Sequence, residues 1–295
     1  MWTADKWTDY ELIDASDGER LERWGDYILI RPDPQIIWSG MKKDKRWKNA
    51  DGIYKRSHSG GGSWTVKSMP EKWTVKYGDL EFMLRPMGFK HTGLFPEQAV
   101  NWDWFGDILR KNPGTTDEDR PRVLNLFAYT GGATAAAASA GAAVCHVDAS
   151  KGMVGAAREN LILSGLENAP VRYIVDDCKK FVEREIRRGK KYEGIIMDPP
   201  SYGRGPNGEL WKLEDCAHEL IALAASLLSD NALFFLINSY TTGLSPASMG
   251  YMLMSVLPDN LKKKAHIETD EVGLPVTQTG MPLPAGAAAR CTFDR

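Results

Sequence analysis

From Pro121 onward, apolar and polar positions alternate in blocks along the chain. Apolar runs at 122–128, 143–148, 171–176, 193–198 and 231–238 read as strands, and the runs between them at 132–141, 150–164, 177–189 and 213–228 read as helices. Strictly alternating strand and helix units predict a parallel sheet with right-handed crossovers. The helix at 132–141 is almost all alanine and stops at Gly141, as fits tight packing on a sheet. A further helix is expected at 246–257. Residues 262–269 and 287–293 read as two terminal strands joined by a Pro/Gly-rich loop, an antiparallel hairpin added to the parallel sheet.

The first 85 residues have a different texture. They hold Trp2, Trp7, Trp24, Trp38, Trp47, Trp64 and Trp73, seven of the ten tryptophans, within short alternating runs such as 27–30 and 73–77. Turn signals at 31–34, 60–63 and 77–79 separate the runs. This predicts a small, mostly antiparallel β domain over 1–85, suited to RNA or subunit contact, and a larger α/β domain over 86–295. A short flexible tip is expected at 60–63 and a polar connector at 112–121.

Composition narrows the class. A chain of 295 residues is long enough for one large domain or a large and a small one. With a net charge of -2, any nucleic-acid binding must come from a local patch. Cys145, Cys178, Cys216 and Cys291 are scattered without a CxxC pair, which argues against a zinc site or disulfide framework and fits a reducing compartment. No apolar run approaches the ~18 residues of a membrane span, and residues 1–6 lack a signal pattern. The expectation is a cytoplasmic protein with no metal and no membrane partner; a homo-oligomer is compatible with the aromatic N-terminal region.

The chemistry lies where the strand runs end, since the carboxyl ends of an open α/β sheet form its ligand crevice. The first run leads into Asn125-Leu126-Phe127-Ala128-Tyr129-Thr130-Gly131-Gly132. Glycines there let the backbone approach a ligand, although an ordinary tight turn would also use them. The stretch is neither a P-loop nor a GxGxxG dinucleotide turn. Asp148 ends the second run, where a carboxylate can accept ribose hydroxyl hydrogens. Ser150 is available to cap the next helix, leaving Asp148 for that role. Asp176 or Asp177 ends the third run and can receive an adenine amino group, the alternative again being a helix cap. Together with Ala149 and Asn160, these residues and Asp198 form the expected cofactor set, and their spacing suits S-adenosylmethionine.

Asp198-Pro199-Pro200-Ser201-Tyr202-Gly203 ends the fourth run. Two prolines fix φ and hold their carbonyls outward, where they and the carboxylate can accept hydrogen bonds from an amino group. Tyr202 can stack on a planar acceptor. Asp198, Pro199, Pro200 and Tyr202 are the expected catalytic residues for methyl transfer, a displacement in which positioning does most of the catalysis.

Three stretches carry a family resemblance: His91-Thr92-Gly93-Leu94-Phe95-Pro96-Glu97-Gln98, the VLNLFAYTGG turn at 123–132, and the DPPS turn at 198–201. From about Lys90 onward, the sequence resembles class I S-adenosylmethionine-dependent methyltransferases with a Rossmann-like sheet. It is most similar to bacterial 23S ribosomal RNA methyltransferases of the large-subunit cytosine-C5 and guanine-N7 type. The resemblance implies that Phe95 and Gln98 lie near the cofactor, and that Asp148, Asp177 and Asp198 contact it or the acceptor. The family's arginine after the glutamine is Ala99 here. Cytosine-C5 members attack the base with a cysteine after the fifth strand, whereas that turn here reads Asn238-Ser239-Tyr240-Thr241-Thr242-Gly243. Direct transfer to a nitrogen, which needs no enzyme nucleophile, is therefore expected.

Lys42-Lys43-Asp44-Lys45-Arg46-Trp47-Lys48, followed by Lys55-Arg56-Ser57-His58, offers cations with an interleaved aromatic. It reads as an RNA-facing surface or as a solvated charged loop. The expected function is methylation of a base in ribosomal or other structured RNA. The alternatives are a protein side chain or small molecule as acceptor, or a non-catalytic cofactor-binding module.

Overall fold

Five parallel strands carry the larger part of the structure. A computed structural model of the chain describes residues 1–40, 42–57, 61–114, 116, 119–204 and 210–294. His58 and Gly60 of the expected basic run and tip, and residues 115, 117 and 118 of the connector, lie outside the described residues. Strands Arg122–Leu126, Ala143–Asp148, Val171–Val175, Gly194–Met197 and Phe234–Ser239 stand in the spatial order third, second, first, fourth, fifth. Helices Gly132–Ser139, Lys151–Leu163, Cys178–Arg187 and Leu213–Ala225 connect them. The order reverses between the first and fourth strands, so the connections there leave toward opposite faces and open a crevice at the carboxyl ends.

The expected terminal hairpin is present and longer than its pattern suggested. Pro282–Phe293 pairs antiparallel with the fifth strand, Ala265–Pro275 lies beyond it, and Trp2–Thr3 forms the far edge. Val272, Leu274, Leu283 and Ala285 are buried, so the apolar pattern continues through the segment that looked like loop. Pro282 occupies the first position of its strand, where a missing N–H is tolerated. The core packs Leu124, Val147, Ile195 and Phe235 from the strands against Phe181, Leu220, Ile221 and Leu253 from the helices. Each such buried side chain stabilises the fold by roughly 1.5–3 kcal/mol. A helix with no forecast in the sequence, Ala99–Lys111, contributes Trp102, Phe105 and Leu109 to the same unit; the Phe105 and Phe234 rings stack at 5.7 Å.

Two compact units divide the chain: one is Val100–Val272 with Met1–Trp2 and Ala285–Arg295, the other Thr3–Ala99 with Gly273–Pro284. In the second, Tyr10–Ser16, Glu19–Trp24, Tyr27–Pro32, Gly52–Arg56 and Gly62–Val66 form one sheet, antiparallel except between its third and fourth strands. Trp73–Tyr77 and Leu80–Leu84 form a separate hairpin. Inside this unit, Glu22 is fully buried, held by Arg31 at 2.6 Å and by the Tyr10 hydroxyl at 2.8 Å. Residues 273–284 return to it through Leu12 and Ile13, whose carbonyls accept from Thr277 and Gln278 at 2.9 and 3.0 Å. Among the described residues, no helix is long and apolar enough to cross a membrane.

Candidate active site

Strand register brings the expected site residues into one row. Leu126 is paired with Val147 on one side and with Met197 on the other, and Met197 with Ile237. One step further along each strand come Phe127, Asp148, Asp198 and Asn238. Residues drawn from four separate segments thus meet at the carboxyl edge, at the point where the strand order reverses.

The turn after the first strand is strained. Phe127, Tyr129 and Gly131 have φ of 56°, 50° and 82°, and the first two are among the few non-glycine residues in this region. Asp148 stabilises that geometry: its Oδ2 accepts from the Tyr129 N–H at 2.9 Å and its Oδ1 from the Ser150 N–H at 2.8 Å. Ser150 does cap the following helix, its Oγ accepting from Met153 N–H, yet Asp148 is not left free, because it clamps both backbones. Burial raises its pKa, against the pull of the two N–H donors. Each carboxylate oxygen has two lone pairs, so one on each remains for hydroxyl donors. Ala149 and Ser150 are exposed beside it.

Beneath the turn lies a buried polar support. Asn160, 1% exposed, donates its amide to the Thr130 carbonyl at 2.8 Å. Asn125 donates to Thr134 Oγ1, which also meets His146 Nδ1, each at 2.9 Å. Asn125 and Asn160 therefore hold the turn from behind. His146 is fully buried with Nε2 unpartnered among the described residues, and burial drives its pKa down to about 4. The glycines serve internal packing: a Cβ on Gly131 would come within 2.7 Å of the Ala157 Cβ, and one on Gly132 within 2.7 Å of the Trp102 ring.

Both acids after the third strand have structural partners. Asp177 caps the helix Cys178–Arg187, accepting from Lys180 N–H at 2.9 Å. Asp176 accepts from Asp177 N–H and pairs with Arg184. The cap is the reading the structure gives Asp177, and its second oxygen is unengaged among the described residues.

In the Asp-Pro-Pro turn, Asp198 is half-buried with its N–H directed to Leu126 O at 3.4 Å, Pro199 is buried and Pro200 exposed. The expectation of two outward carbonyls needs correcting. Pro200 O accepts from the indole N–H of Trp211 at 2.6 Å, so only Pro199 O is without a partner among the described residues. Tyr202 is 57% exposed and begins a short hairpin in which Tyr202–Arg204 pairs with Leu210–Lys212. Thr241, after the fifth strand, donates to Ser201 Oγ at 2.7 Å. Trp211 and Thr241 escaped sequence reasoning. Both act through contacts with segments distant in the chain, and neither carries a local motif.

The comparisons agree with this geometry. A family model described as S-adenosylmethionine-dependent methyltransferase matches residues 53–245, more than half of the chain. The chain belongs to the S-adenosylmethionine-dependent methyltransferase family. A crystal structure of such a methyltransferase from Agrobacterium tumefaciens has a TM-score of 0.89 at 35% identity, covering 97% of this chain and 91% of that one. A Streptococcus mutans structure shares the fold, with a TM-score of 0.74 at 17% identity over 98% of this chain and 76% of that one. Two curated relatives are named ribosomal RNA large subunit methyltransferase K/L. The one from Shewanella frigidimarina is 35% identical over 161 residues, 54% of this chain and 21% of its own length. That from Shewanella oneidensis is 29% identical over 286 residues, 90% of this chain and 37% of its own length. This methyltransferase thus spans well under half the length of these relatives.

The donor set fits the family's cofactor, a nucleoside with two ribose hydroxyls and an amino-bearing base. Spare lone pairs on Asp148 and the free oxygen of Asp177 supply acceptors at adjacent strand ends, with the half-buried Phe127 between the first strand and the second. Phe95 and Gln98 belong to the unit Thr3–Ala99, where Phe95 packs its ring 5.0 Å from His91 and Gln98 is buried in the turn Pro96–Gln98.

Three of the four thiols are poorly suited to act as nucleophiles. Cys178 is buried, accepts from Phe127 N–H at 3.3 Å, and is pushed well above the ordinary thiol range by burial. Burial also raises Cys145 to about 11 and Cys291 to about 12. Cys216 is half-buried on the helix Leu213–Ala225, whose Leu213 N–H donates to Ser201 O at 3.1 Å.

Two of the five cations in the run 42–48 are paired within their own unit, while Lys43, Lys45 and Lys48 are exposed. Lys42 contacts Glu19 at 2.5 Å and covers the Trp47 ring at 4.5 Å; Arg46 pairs with Asp44 at 2.8 Å and Glu11 at 3.7 Å. Trp47 donates its indole N–H to Asp14 and packs on the cluster of Ile13, Leu21 and Ile30. The ring that looked available for base stacking is already occupied.

Proposed function

We propose that this methyltransferase modifies a nitrogen on a base of ribosomal RNA in the cytoplasm, by direct transfer without a covalent enzyme intermediate. The observation that carries the reading is the acceptor turn. A half-buried carboxylate (Asp198), one unpartnered carbonyl (Pro199) and a largely exposed aromatic ring (Tyr202) follow one another in the turn that starts one residue past the paired strand ends. An amino group on a planar ring meets that set: two acceptors in the plane and one stacking face. The names of the Shewanella relatives support ribosomal RNA as its source, and the buried thiols support direct transfer.

In this scheme, Asp148 accepts the ribose hydroxyls and Asp177 the adenine amino group. Trp211 fixes Pro200, and with it the orientation of the Pro199 carbonyl. When bound, S-adenosylmethionine supplies an electron-poor methyl group on a sulfonium. Asp198 and Pro199 O orient the acceptor's amino hydrogens so that its lone pair faces that methyl group. The Asp198 carboxylate then stands ready to receive the proton that the methylated nitrogen gives up. Alignment of this kind accounts for most of the rate in an in-line displacement.

The test is incubation with methyl-labelled S-adenosylmethionine and, separately, unmodified large-subunit RNA, total protein and a metabolite extract. Label in RNA that digests to an N-methyl nucleoside is the expected result. A C-methyl nucleoside would overturn direct nitrogen transfer, and label confined to protein or metabolites would overturn the RNA acceptor.

A further inference from the structure

Besides the 42–48 run, in which Lys42 and Arg46 are already paired, the structure holds a second basic surface that no part of the proposed chemistry uses. Residues 184–191 read Arg-Glu-Ile-Arg-Arg-Gly-Lys-Lys, five cations against one acid, in a chain whose net charge is -2. The single acid, Glu185, is fully buried and shared: it accepts from the Tyr192 hydroxyl at 2.6 Å, from Arg188 at 3.2 Å, and faces Arg172 at 3.8 Å. Arg184 is spent on Asp176, and Lys191 donates to the Ser226 carbonyl at 2.7 Å. Arg187 and Lys190 have no partner among the described residues, and Arg172, Arg187, Arg188, Lys190 and Lys191 are all exposed. Glu185 thus offsets only Arg172 and Arg188 of these five exposed cations.

The cations border a shaped surface. A hollow of about 210 Å³ is lined by Arg122, Arg172, Lys190 and Lys191, with Tyr192 and Pro170 at its side. It lies at the amino ends of the first four strands, the opposite end of the sheet from the acceptor turn. Arg122 is neutralised by two contacts to Glu193, so the surplus belongs to Arg172 and to 187–191. Beyond Arg122, the next cleft is mixed in charge, with Asp119, Asp230 and Asp294 beside Arg120 and Lys264. Two cations near the helix C-terminus complement its dipole, but Arg172 lies on an edge strand and Lys190 and Lys191 past the helix, where the dipole does not call for them.

We infer that this surface of Arg172, Arg187, Arg188 and Lys190 grips the phosphate backbone of the RNA substrate at a distance from the modified base. The inference rests on the RNA reading above. Exposed Arg and Lys, two of them unpaired and two sharing one buried carboxylate, match phosphate in charge and geometry, and a structured RNA is long enough to pass from one end of the sheet to the other, as a lone nucleoside or small metabolite is not. Contacts of this kind fix register and affinity without reading sequence.

The experiment measures binding of unmodified large-subunit ribosomal RNA transcript to wild type, R187Q/K190Q and K43Q/K45Q/K48Q over a range of salt, with methyl transfer to the same RNA alongside. Each phosphate contact contributes roughly 0.7–0.9 to the slope of log affinity against log salt. Removing Arg187 and Lys190 is expected to flatten the slope by about 1.5 and weaken low-salt binding about tenfold. Affinity for S-adenosylmethionine and transfer at saturating RNA should stay as in wild type. The triple lysine variant in the N-terminal unit is expected to change the slope less. An unchanged slope in R187Q/K190Q, with wild type still methylating the RNA, overturns this surface and leaves the RNA reading standing. A wild type that labels protein or metabolites but no RNA overturns both.

Discussion

Trp211 donates its indole N–H to the Pro200 carbonyl at 2.6 Å while its ring stands 5.4 Å from that of Phe127. One side chain thus joins the acceptor turn to the strained turn after the first strand. Trp211→Phe keeps an aromatic ring and deletes the hydrogen bond, so Pro200 and Pro199 lose a restraint worth about 0.5–1.5 kcal/mol. Single-turnover methyl transfer is expected to slow roughly three- to tenfold, with affinity for S-adenosylmethionine held within about twofold. Equal losses in both quantities would mean that Trp211 supports the whole crevice and does not position the acceptor turn in particular.

Gly131 faces two constraints that can be separated by mutation. Its φ of 82° costs any other residue roughly 1–2 kcal/mol, and its Cβ would meet the Ala157 Cβ at 2.7 Å. Gly131→Ala should therefore lower unfolding stability by about 2–4 kcal/mol, the strain and the overpacking together. Adding Ala157→Gly removes the clash and leaves the strain, so the double variant should recover part of the loss despite introducing a glycine into a helix. Urea unfolding of the four proteins in this cycle gives the coupling. Zero coupling would show that the helix Lys151–Leu163 moves aside freely.

Much of this arrangement is visible in the amino-acid sequence because a buried strand that stops abruptly leaves a sharp mark. Leu126, Val147 and Met197 each close an apolar run just before Phe127, Asp148 and Asp198, and the register converts that pattern into one row of residues. What the pattern does not carry is who partners whom. Trp211 lies on a three-residue strand whose pairing with Tyr202–Arg204 is set by tertiary contact. Lys42 and Arg46 look free until Glu19 and Glu11, from earlier strands, come beside them. Asn160 looks like a polar residue near the crevice, yet its amide donates to the Thr130 carbonyl and turns the side chain inward. The return of 273–284 to the N-terminal unit depends on backbone bonds to Leu12 and Ile13, which have no side-chain signature at all.

Asp148 joins two backbones through a half-buried carboxylate, and Asp148→Asn replaces one acceptor oxygen with a donor. Either Tyr129 or Ser150 then loses a charge-assisted bond, worth about 1.5–3 kcal/mol, and the left-handed conformation at Tyr129 loses its clamp. Affinity for S-adenosylmethionine, measured by calorimetry, is expected to fall about ten- to a hundredfold. Protonation does the same as the substitution. Because burial raises the Asp148 pKa, affinity should begin to drop on acidification at a higher pH than an exposed carboxylate would dictate. An Asn variant that binds as wild type would remove Asp148 from the cofactor site.

Single replacement of each cysteine by alanine separates direct from covalent transfer. Cys145, Cys178 and Cys291 are buried with raised pKa values, so almost none is thiolate at neutral pH. Each variant is expected to keep its methyl-transfer rate constant within about threefold, after correction for the fraction folded; the core replacements lose about 1–3 kcal/mol of stability. A drop beyond a thousandfold in a folded variant would identify a nucleophile and refute direct transfer.

Acid should loosen the turn from beneath through His146. Burial holds its native pKa near 4, against an ordinary value of 6.5. Between those two values, the unfolded chain binds the proton and the native one does not, so stability falls as pH drops from 6.5 toward 4, by up to ~1.4 kcal/mol per unit for this one group. His91, depressed to about 3 by burial and by Arg31, adds a similar slope from the N-terminal unit. Urea midpoints at pH 7 and 5 should therefore show a marked loss in wild type and about half that loss in His146→Gln, which keeps a polar group beside Thr134. Because Thr134 links His146 to Asn125 below the turn, weaker S-adenosylmethionine binding should accompany the acid loss in wild type and be blunted in the variant. The same pH dependence in both proteins would mean that the protonated imidazole finds solvent or a partner without disturbing the turn, and the support assigned to the Asn125–Thr134–His146 chain would then have to lie with Asn160 alone.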